Sequence, residues 1–180
     1  MKLDSLGVLV SFYSGLSTDN LGRSLEEIQD WGYDRLEGVH NYVQWLFPLS
    51  ERSNFNPDAP ILDADQIVAF RSSDELKARL IKSFKVMLRF YGLCVEDKGG
   101  TIEITKSDEY AQRKGTWLTP GNHNYLRITR ILTSLRLLGL REYAEVFLAL
   151  LERLYEEESQ RIGSTTLGYW RRSLTTSEPD

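Results

Sequence analysis

The two histidines are the side chains of this chain best suited to proton transfer or switchable binding, because imidazole changes charge near neutral pH. They are His40 and His123, in a sequence of 180 residues. Glu37 precedes His40 by three residues, and Tyr33 and Gln44 continue the same spacing on either side. Residues three or four apart lie on one face of a helix. We therefore predict a polar stripe on a helix over residues 31–47, formed by Tyr33, Glu37, His40 and Gln44.

A Glu-x-x-His pair also occurs in di-iron bundles, which need a second copy on another helix. His123 has no glutamate three residues before it, so we exclude a di-iron site. Two histidines and the single cysteine, Cys94, do not have the spacing of a zinc site. We predict no metal and no cofactor, and we interpret Cys94, between Leu93 and Val95, as an inert packing thiol.

The second candidate cluster lies in residues 122–130, Asn-His-Asn-Tyr-Leu-Arg-Ile-Thr-Arg. Its cationic side chains stand at i, i+4 and i+7, and an asparagine before them suits a helix cap. Arginines near a helix amino terminus favour an anionic ligand. The predicted ligand-binding residues here are Asn122, His123, Asn124, Arg127 and Arg130.

Each cluster also has a purely structural interpretation. His40 would be a half-buried, hydrogen-bonded residue, and the arginines would form a solvated face or pair with Glu37 or Asp34. If Arg127 serves the ligand, Arg127→Ala abolishes binding and shifts the melting temperature by only a few degrees.

The motifs that would indicate a known enzyme class are absent from the sequence. It contains no G-x-G-x-x-G, P-loop, H-E-x-x-H, G-x-S-x-G or paired C-x-x-C. We therefore expect binding without catalysis. Two alternatives remain: a hydrolase or transferase that uses His40 or His123 with Arg127 and Arg130, and a protein-interaction scaffold that presents Trp45 and Phe47.

Composition limits the partners. The net charge of −4 argues against nucleic acid, whose binding depends on an excess of cations. No apolar run approaches the roughly 18 residues of a membrane span, and the first residues do not resemble a signal peptide. We expect a soluble, cytoplasmic protein of unknown oligomeric state that binds a peptide or a small anionic ligand.

Helix signals outnumber strand signals. We predict a mainly α fold, a bundle of about five to six helices with one small β-hairpin near residues 93–105, where Gly99 and Gly100 form the turn. Capping boxes at Ser24 and Ser72, and Asp63 as a cap, mark helix starts. Residues 107–121 read as irregular, followed by helices over 122–138 and 141–161. We expect one domain over residues 1–165 and a polar, partly disordered tail over 166–180.

Several stretches of the sequence are distinctive in their residues and in their order. They are Trp-Gly-Tyr-Asp-Arg-Leu-Glu at 31–37, His-Asn-Tyr-Val-Gln-Trp-Leu-Phe-Pro-Leu at 40–49, the loop at 54–62, Phe-Lys-Val-Met-Leu-Arg-Phe-Tyr-Gly-Leu at 84–93, the segment 122–132 and Leu-Gly-Leu at 138–140. With these motifs in this order, the chain resembles the conserved domain of the opioid growth factor receptor family over residues 25–151.

This resemblance implies a helical domain with receptor activity toward a ligand. Animal members are described as receptors for the growth-inhibiting enkephalin peptide, located in the nucleus or at its envelope, which would allow peripheral membrane association. We expect a bare domain, without the tail of repeats and the basic import cluster of those members. The resemblance implies no catalytic residues. We therefore expect an opioid growth factor receptor-like binding domain that holds its ligand between the two histidine-bearing helices.

Overall fold

A computed structural model describes residues 7–53 and 56–175. As predicted, this part of the chain is mainly α-helical with one antiparallel hairpin. Residues 54–55 of the predicted loop and residues 176–180 of the predicted tail lie outside the described residues. In chain order the elements are α1 (Val8–Tyr13), α2 (Leu25–Gln29), α3 (Tyr33–Gly38), α4 (Val43–Leu46), α5 (Ala64–Ser72), α6 (Asp74–Tyr91), β1 (Leu93–Lys98), β2 (Thr101–Lys106), α7 (Tyr110–Trp117), α8 (Asn124–Leu137), α9 (Arg141–Ile162) and α10 (Ser164–Thr175).

The described residues form two compact units whose boundary falls within α6. The first unit extends to Ser83 and the second begins at Phe84. Each unit has its own buried apolar side chains. The single domain predicted over residues 1–165 stays a prediction.

The first unit is organised around the buried ring of Tyr13. Its hydroxyl donates a hydrogen bond to the carbonyl of Leu46 and lies 3.4 Å from Ser83 Oγ. Gln29 Nε2 donates to the same Ser83 Oγ at 2.9 Å. Complete burial raises the pKa of the Tyr13 phenol, so the ring is neutral and its polar atom is satisfied internally.

Two of the three predicted helix caps are confirmed. Ser24 Oγ accepts from Glu27 N at 3.0 Å, and Asp63 Oδ1 accepts from Gln66 N at 2.8 Å. The prediction at Ser72 was wrong by one residue, because Ser73 Oγ accepts from Leu76 N at 3.2 Å. Ser72 instead lies in the last turn of α5.

The single helix predicted over residues 31–47 is broken at residues 39–42. Val39 has extended backbone angles, φ −96° and ψ 131°, and a new helix begins only at Val43. Side chains replace the helical hydrogen bonds here: Tyr42 OH donates to Leu36 O at 2.9 Å, and Asn56 Nδ2 donates to Asn41 O at 3.2 Å. These tertiary bonds outweigh a helical pattern that already contains Gly38 and a β-branched valine.

The second unit contains the hairpin and its predicted turn. Lys98 pairs with Thr101 across Gly99 and Gly100, and the register continues to Leu93 opposite Lys106. Both glycines have positive φ, 66° and 91°, which a tight two-residue turn requires. The strand β2 packs against α9.

Helix α7 occupies residues that we predicted to be irregular. Among its residues only Trp117 is buried, so the apolar periodicity that reveals a helix is missing. Tertiary hydrogen bonds hold it instead: Trp117 Nε1 donates to Tyr91 O at 3.0 Å and Arg113 Nε donates to Phe90 O at 2.9 Å.

Helix α10 lies where we predicted a polar, partly disordered tail. Leu167, Trp170 and Leu174 share one face and are buried, which is a pattern that the polar composition obscures. Arginines cap its last turn: Arg136 Nε donates to Ser173 O at 2.8 Å, and Arg141 Nη2 donates to Leu174 O at 3.1 Å.

The burial of Trp170 gives a test of α10. Its indole is 0% exposed and donates to Tyr125 O at 3.2 Å. We expect Trp170→Ala to lower the free energy of unfolding by about 3–5 kcal/mol, because the change leaves a large cavity. Urea denaturation followed by circular dichroism measures this loss.

The neighbouring Tyr169 is a matched control, since it lies on the same helix and is 51% exposed. Tyr169→Ala should cost less than about 1 kcal/mol, most of it from the lost stacking with Arg172. Equal losses for the two variants would contradict a docked α10.

Candidate functional site

The four residues of the first predicted stripe do not share one helix. Tyr33 and Glu37 lie on α3, His40 lies in the break after it, and Gln44 lies in α4. His40 is exposed, whereas Gln44 is 6% exposed. Within the described residues, Gln44 Oε1 has no hydrogen-bond partner. A ligand-binding role for these residues stays a prediction.

A buried polar network beside this break was not predicted from the sequence. Asp19 Oδ1 accepts from the backbone N of Arg23 at 2.9 Å, and Asp19 Oδ2 accepts from Arg23 Nε at 2.6 Å. Arg23 Nη1 continues to Asn41 Oδ1 at 3.0 Å, and its guanidinium also lies over the Trp31 ring at 5.4 Å. The four-residue spacing of Asp19 and Arg23 was the available signal. We assign this network to the loop geometry, because the Asp19 carboxylate is paired with Arg23 and bonded to the backbone of the same loop.

The second predicted cluster lies at the start of α8, and its asparagines serve the helix terminus. Asn122 Oδ1 accepts from the backbone N of Asn124 at 2.9 Å and from Asn124 Nδ2 at 3.0 Å. Asn122 Nδ2 in turn donates to Thr116 O at 3.0 Å. Asn122 thus accepts from the first residue of α8, although the N-cap position itself is His123, which makes no side-chain cap.

The cationic residues of that cluster have very different surroundings. His123 is exposed, Arg127 is 6% exposed, and Arg130 has an intermediate exposure. Arg127 Nη1 donates to the fully buried Asn124 Oδ1 at 3.3 Å. Burial lowers the pKa of Arg130. Arg127 is therefore built into the fold, and a ligand role for it and its neighbours stays a prediction.

A cleft in the second unit was not predicted from the sequence. Its volume is about 470 Å³. The walls come from the last turns of α6, the start of β1 and the segment that joins β2 to α7. Its lining residues are Lys85, Arg89, Leu93, Cys94, Val95, Ser107, Asp108 and Glu109.

The positive and the negative side chains of this cleft lie on different segments of the chain. Lys85 and Arg89 are four residues apart on α6 and form no ion pair with any described residue, whereas Asp108 and Glu109 lie on the joining segment. Most other cations of the second unit are used internally; for example, Lys106 Nζ lies 2.6 Å from Glu157. Two cations without a carboxylate partner attract an anionic group.

The walls of the cleft are held rigidly. Ser107 donates twice to Gly92 O, from its backbone N at 2.9 Å and from Oγ at 2.9 Å. Gly92 has φ 76°, and a Cβ there would lie 2.6 Å from Tyr110 Cα, so only glycine fits this close approach. Burial, together with Glu157 and Glu158, raises the pKa of Tyr110 to about 12, so its ring stays neutral at physiological pH.

Cys94 is not the buried packing residue that we predicted. It has an intermediate exposure, lines the cleft, and its Sγ lies 3.2 Å from Thr105 Oγ1. The apolar neighbours misled the prediction, because in a strand the flanking residues point to the opposite face.

The structure also bears on the scaffold hypothesis, on metal binding and on membrane-spanning helices. Trp45 is 4% and Phe47 0% exposed, so the scaffold hypothesis that needed these rings on the surface was wrong. In residues 7–53 and 56–175 no group of histidine, cysteine and carboxylate side chains could hold a metal ion. No helix in these ranges is long and apolar enough to cross a membrane.

Burial changes the expected effect of replacing Arg127. We expect Arg127→Ala to lower the free energy of unfolding by about 2 kcal/mol or more, because the change removes a charged hydrogen bond from a buried asparagine and leaves a cavity. Urea denaturation measures it. The exposed His123 provides the comparison, and His123→Ala should change stability by about 0.5 kcal/mol at most. If Arg127→Ala leaves the free energy of unfolding unchanged, Arg127 is not needed for stability, and this result would favour the predicted role in ligand binding.

Comparison with known proteins agrees with this description. The family model of the opioid growth factor receptor (OGFr) conserved region matches residues 9–178. The chain is 43% identical over 141 residues to the opioid growth factor receptor of Homo sapiens, covering 77% of this chain and 20% of that protein. It is 42% identical to the Rattus norvegicus receptor, of which it covers 23%. It is 36% identical over 155 residues to the opioid growth factor receptor-like protein 1 of Mus musculus, of which it covers 31%.

The chain thus spans less than a third of the length of these relatives. No solved structure matches it. The match of the family model over almost the whole sequence, together with identities near 40%, is decisive. The chain belongs to the family defined by the opioid growth factor receptor conserved region.

Proposed function

We propose that this chain is a binding module that holds a short peptide or another small anionic ligand in the cleft of the second unit, and that it catalyses no reaction. The proposal rests on two cations, Lys85 and Arg89. Both line the cleft beside the apolar start of β1, and neither has an ion-pair partner among the described residues. An arginine and a lysine one helical turn apart can hold one carboxylate together.

The opposite wall supports a peptide in preference to a simple anion. Asp108 and Glu109 can accept from the ammonium or amide groups of a ligand whose carboxylate reaches the cations. Val95, between these walls and partly exposed, offers apolar contact. A peptide combines all three kinds of group, whereas an inorganic anion uses only the first.

The rigidity of the cleft also supports binding. A preformed site loses little conformational entropy when a ligand enters. The two hydrogen bonds from Ser107 to Gly92 O join the walls of the cleft. The relatives are named receptors for opioid growth factor, which makes the enkephalin peptide a reasonable first probe.

The two histidine clusters are a second candidate for the same role. His40 and His123 are both exposed and therefore accessible to a ligand. The sequence pattern of residues 122–130 supports the second cluster, but the use of Asn122, Asn124 and Arg127 in the helix terminus weakens it. Binding that survives changes in the cleft and is lost in His123→Ala would favour this cluster.

The test reverses the two cations of the cleft. We expect Lys85→Glu combined with Arg89→Glu to weaken binding of the enkephalin peptide by at least about tenfold, because the ligand carboxylate then faces two negative charges. Titration calorimetry measures the affinity. The peptide with an amidated carboxyl end should bind the parent protein more weakly than the free acid does, and added salt should reduce the difference.

Lys82→Glu is the charge-matched control for each single reversal, Lys85→Glu or Arg89→Glu, which are measured beside the double variant. Lys82 is exposed on the same helix and does not line the cleft, so its reversal changes the net charge without changing the site. If Lys82→Glu weakens binding as much as the cleft variants do, the effect comes from net charge alone. If no peptide or small carboxylate binds the parent protein, the proposed function is wrong.

A further inference from the structure

We propose that the ligand of the cleft is an extended peptide that adds as a third strand along the open edge of β1, with an acidic side chain held by Lys85 and Arg89. This inference rests on the proposed function, and it adds the conformation of the ligand and the backbone groups that bind it.

The register of the hairpin determines which backbone groups face outward. The residues that flank a two-residue turn form a hydrogen-bonded pair, and such pairs alternate along the strands. Lys98 and Thr101 flank the turn, so Glu96 and Cys94 also point their N–H and C=O groups toward β2. The bond from Ser107 N to Gly92 O, at 2.9 Å, continues the same alternation.

The residues between them must point the other way. Leu93, Val95 and Asp97 direct their backbone N–H and C=O groups away from β2. Within the described residues the sheet has two strands, and no backbone hydrogen bond joins Leu93 or Val95 to another segment. Val95 lines the cleft and has an intermediate exposure, so its unpaired backbone groups are offered to whatever occupies the cleft, whereas Leu93 is 2% exposed and buried.

The first half of this edge lacks the charged residues that normally protect a strand from pairing, although the second half carries them. Exposed edges usually carry lysine, proline or a bulge. The first half of β1 reads Leu93, Cys94 and Val95, and charges begin only at Glu96. An uncharged edge at the bottom of a cleft fits strand addition, in which main-chain hydrogen bonds supply affinity and nearby pockets supply specificity.

The surrounding charges indicate which peptide fits. Lys85 and Arg89 favour an acidic residue, whereas Asp108 disfavours a run of them. Strand pairing favours β-branched residues beside that acid. The expected partner is a segment of another protein in which a single glutamate or aspartate is flanked by valine, isoleucine or threonine.

The probe is the blocked peptide acetyl-Thr-Val-Glu-Val-Thr-amide, which carries one carboxylate and no terminal charges. We expect it to bind the parent protein and to slow hydrogen exchange at the Val95 amide. Reversal of both cleft cations should weaken it, as it weakens the enkephalin peptide.

Backbone methylation of the probe tests strand pairing without altering the protein. In an added strand, alternate N–H groups face β1 and the others face solvent. Methylation of both valine nitrogens and methylation of the glutamate nitrogen must therefore have opposite outcomes: one should weaken binding at least tenfold and the other should leave it unchanged. Equal effects would overturn the strand proposal and leave the cleft proposal intact.

The protein side is tested by Val95→Pro, which removes one outward N–H at a position where the hairpin does not use it. We expect at least a tenfold loss of affinity for the probe. Ile102→Pro is the matched control and should leave the affinity unchanged, because Ile102 opposes Asp97 in the same register but lies on β2, outside the cleft and the proposed edge. Melting temperatures of both variants identify any loss of fold, and in that case the methylated peptides decide.

Three other results are informative. If enkephalin binds and the blocked probe does not, strand addition is wrong but the binding function stands. If neither binds, both proposals fail. If the parent protein self-associates and Val95→Pro abolishes this, the edge pairs with a second copy and the peptide proposal is overturned.

Discussion

The carboxyl end of α6 depends on hydrogen bonds that the helix cannot supply to itself. The last carbonyls of any helix lack internal partners, and here they are buried. Arg113 and Trp117, both from α7, donate to Phe90 O and Tyr91 O. The helix that follows the hairpin therefore exists where it does because it completes the helix that precedes it.

This arrangement also explains why a cleft forms at this point. Gly92 turns the chain out of α6, and Ser107 returns to the same carbonyl after the hairpin. Ser107, after the hairpin, is thus hydrogen-bonded to the carbonyl oxygen of Gly92, before the hairpin. The segment that joins β2 to α7 therefore lies opposite the last turns of α6. These hydrogen bonds, together with the buried Leu93, position the residues that line the cleft.

Arginines and lysines have two distinct uses in this acidic chain. Arg23 is neutralised by Asp19, and Arg136 and Arg141 cap the carbonyls of α10. These cations stabilise the fold, since removing any of them would leave a backbone carbonyl or a carboxylate without its partner. Lys85 and Arg89 have no such function in the described structure, which is why they are the better candidates for binding.

The sequence by itself determined the elements whose information is local. Side-chain caps at Ser24 and Asp63, the glycine turn of the hairpin and the long apolar periodicities of α6, α8 and α9 depend on residues within a few positions of one another. The family resemblance was also readable, because it consists of contiguous strings of residues.

Only the tertiary structure decided the elements that distant partners stabilise. The break at residues 39–42 depends on Asn56 and the helix α7 on Tyr91, and no periodicity in the sequence predicts such contacts. The cleft is of the same kind, since its lining comes from three segments that a hairpin brings together. A pattern along the chain records which residues share a face, but the free energy of a hydrogen bond between remote groups depends on a fold that the pattern does not contain.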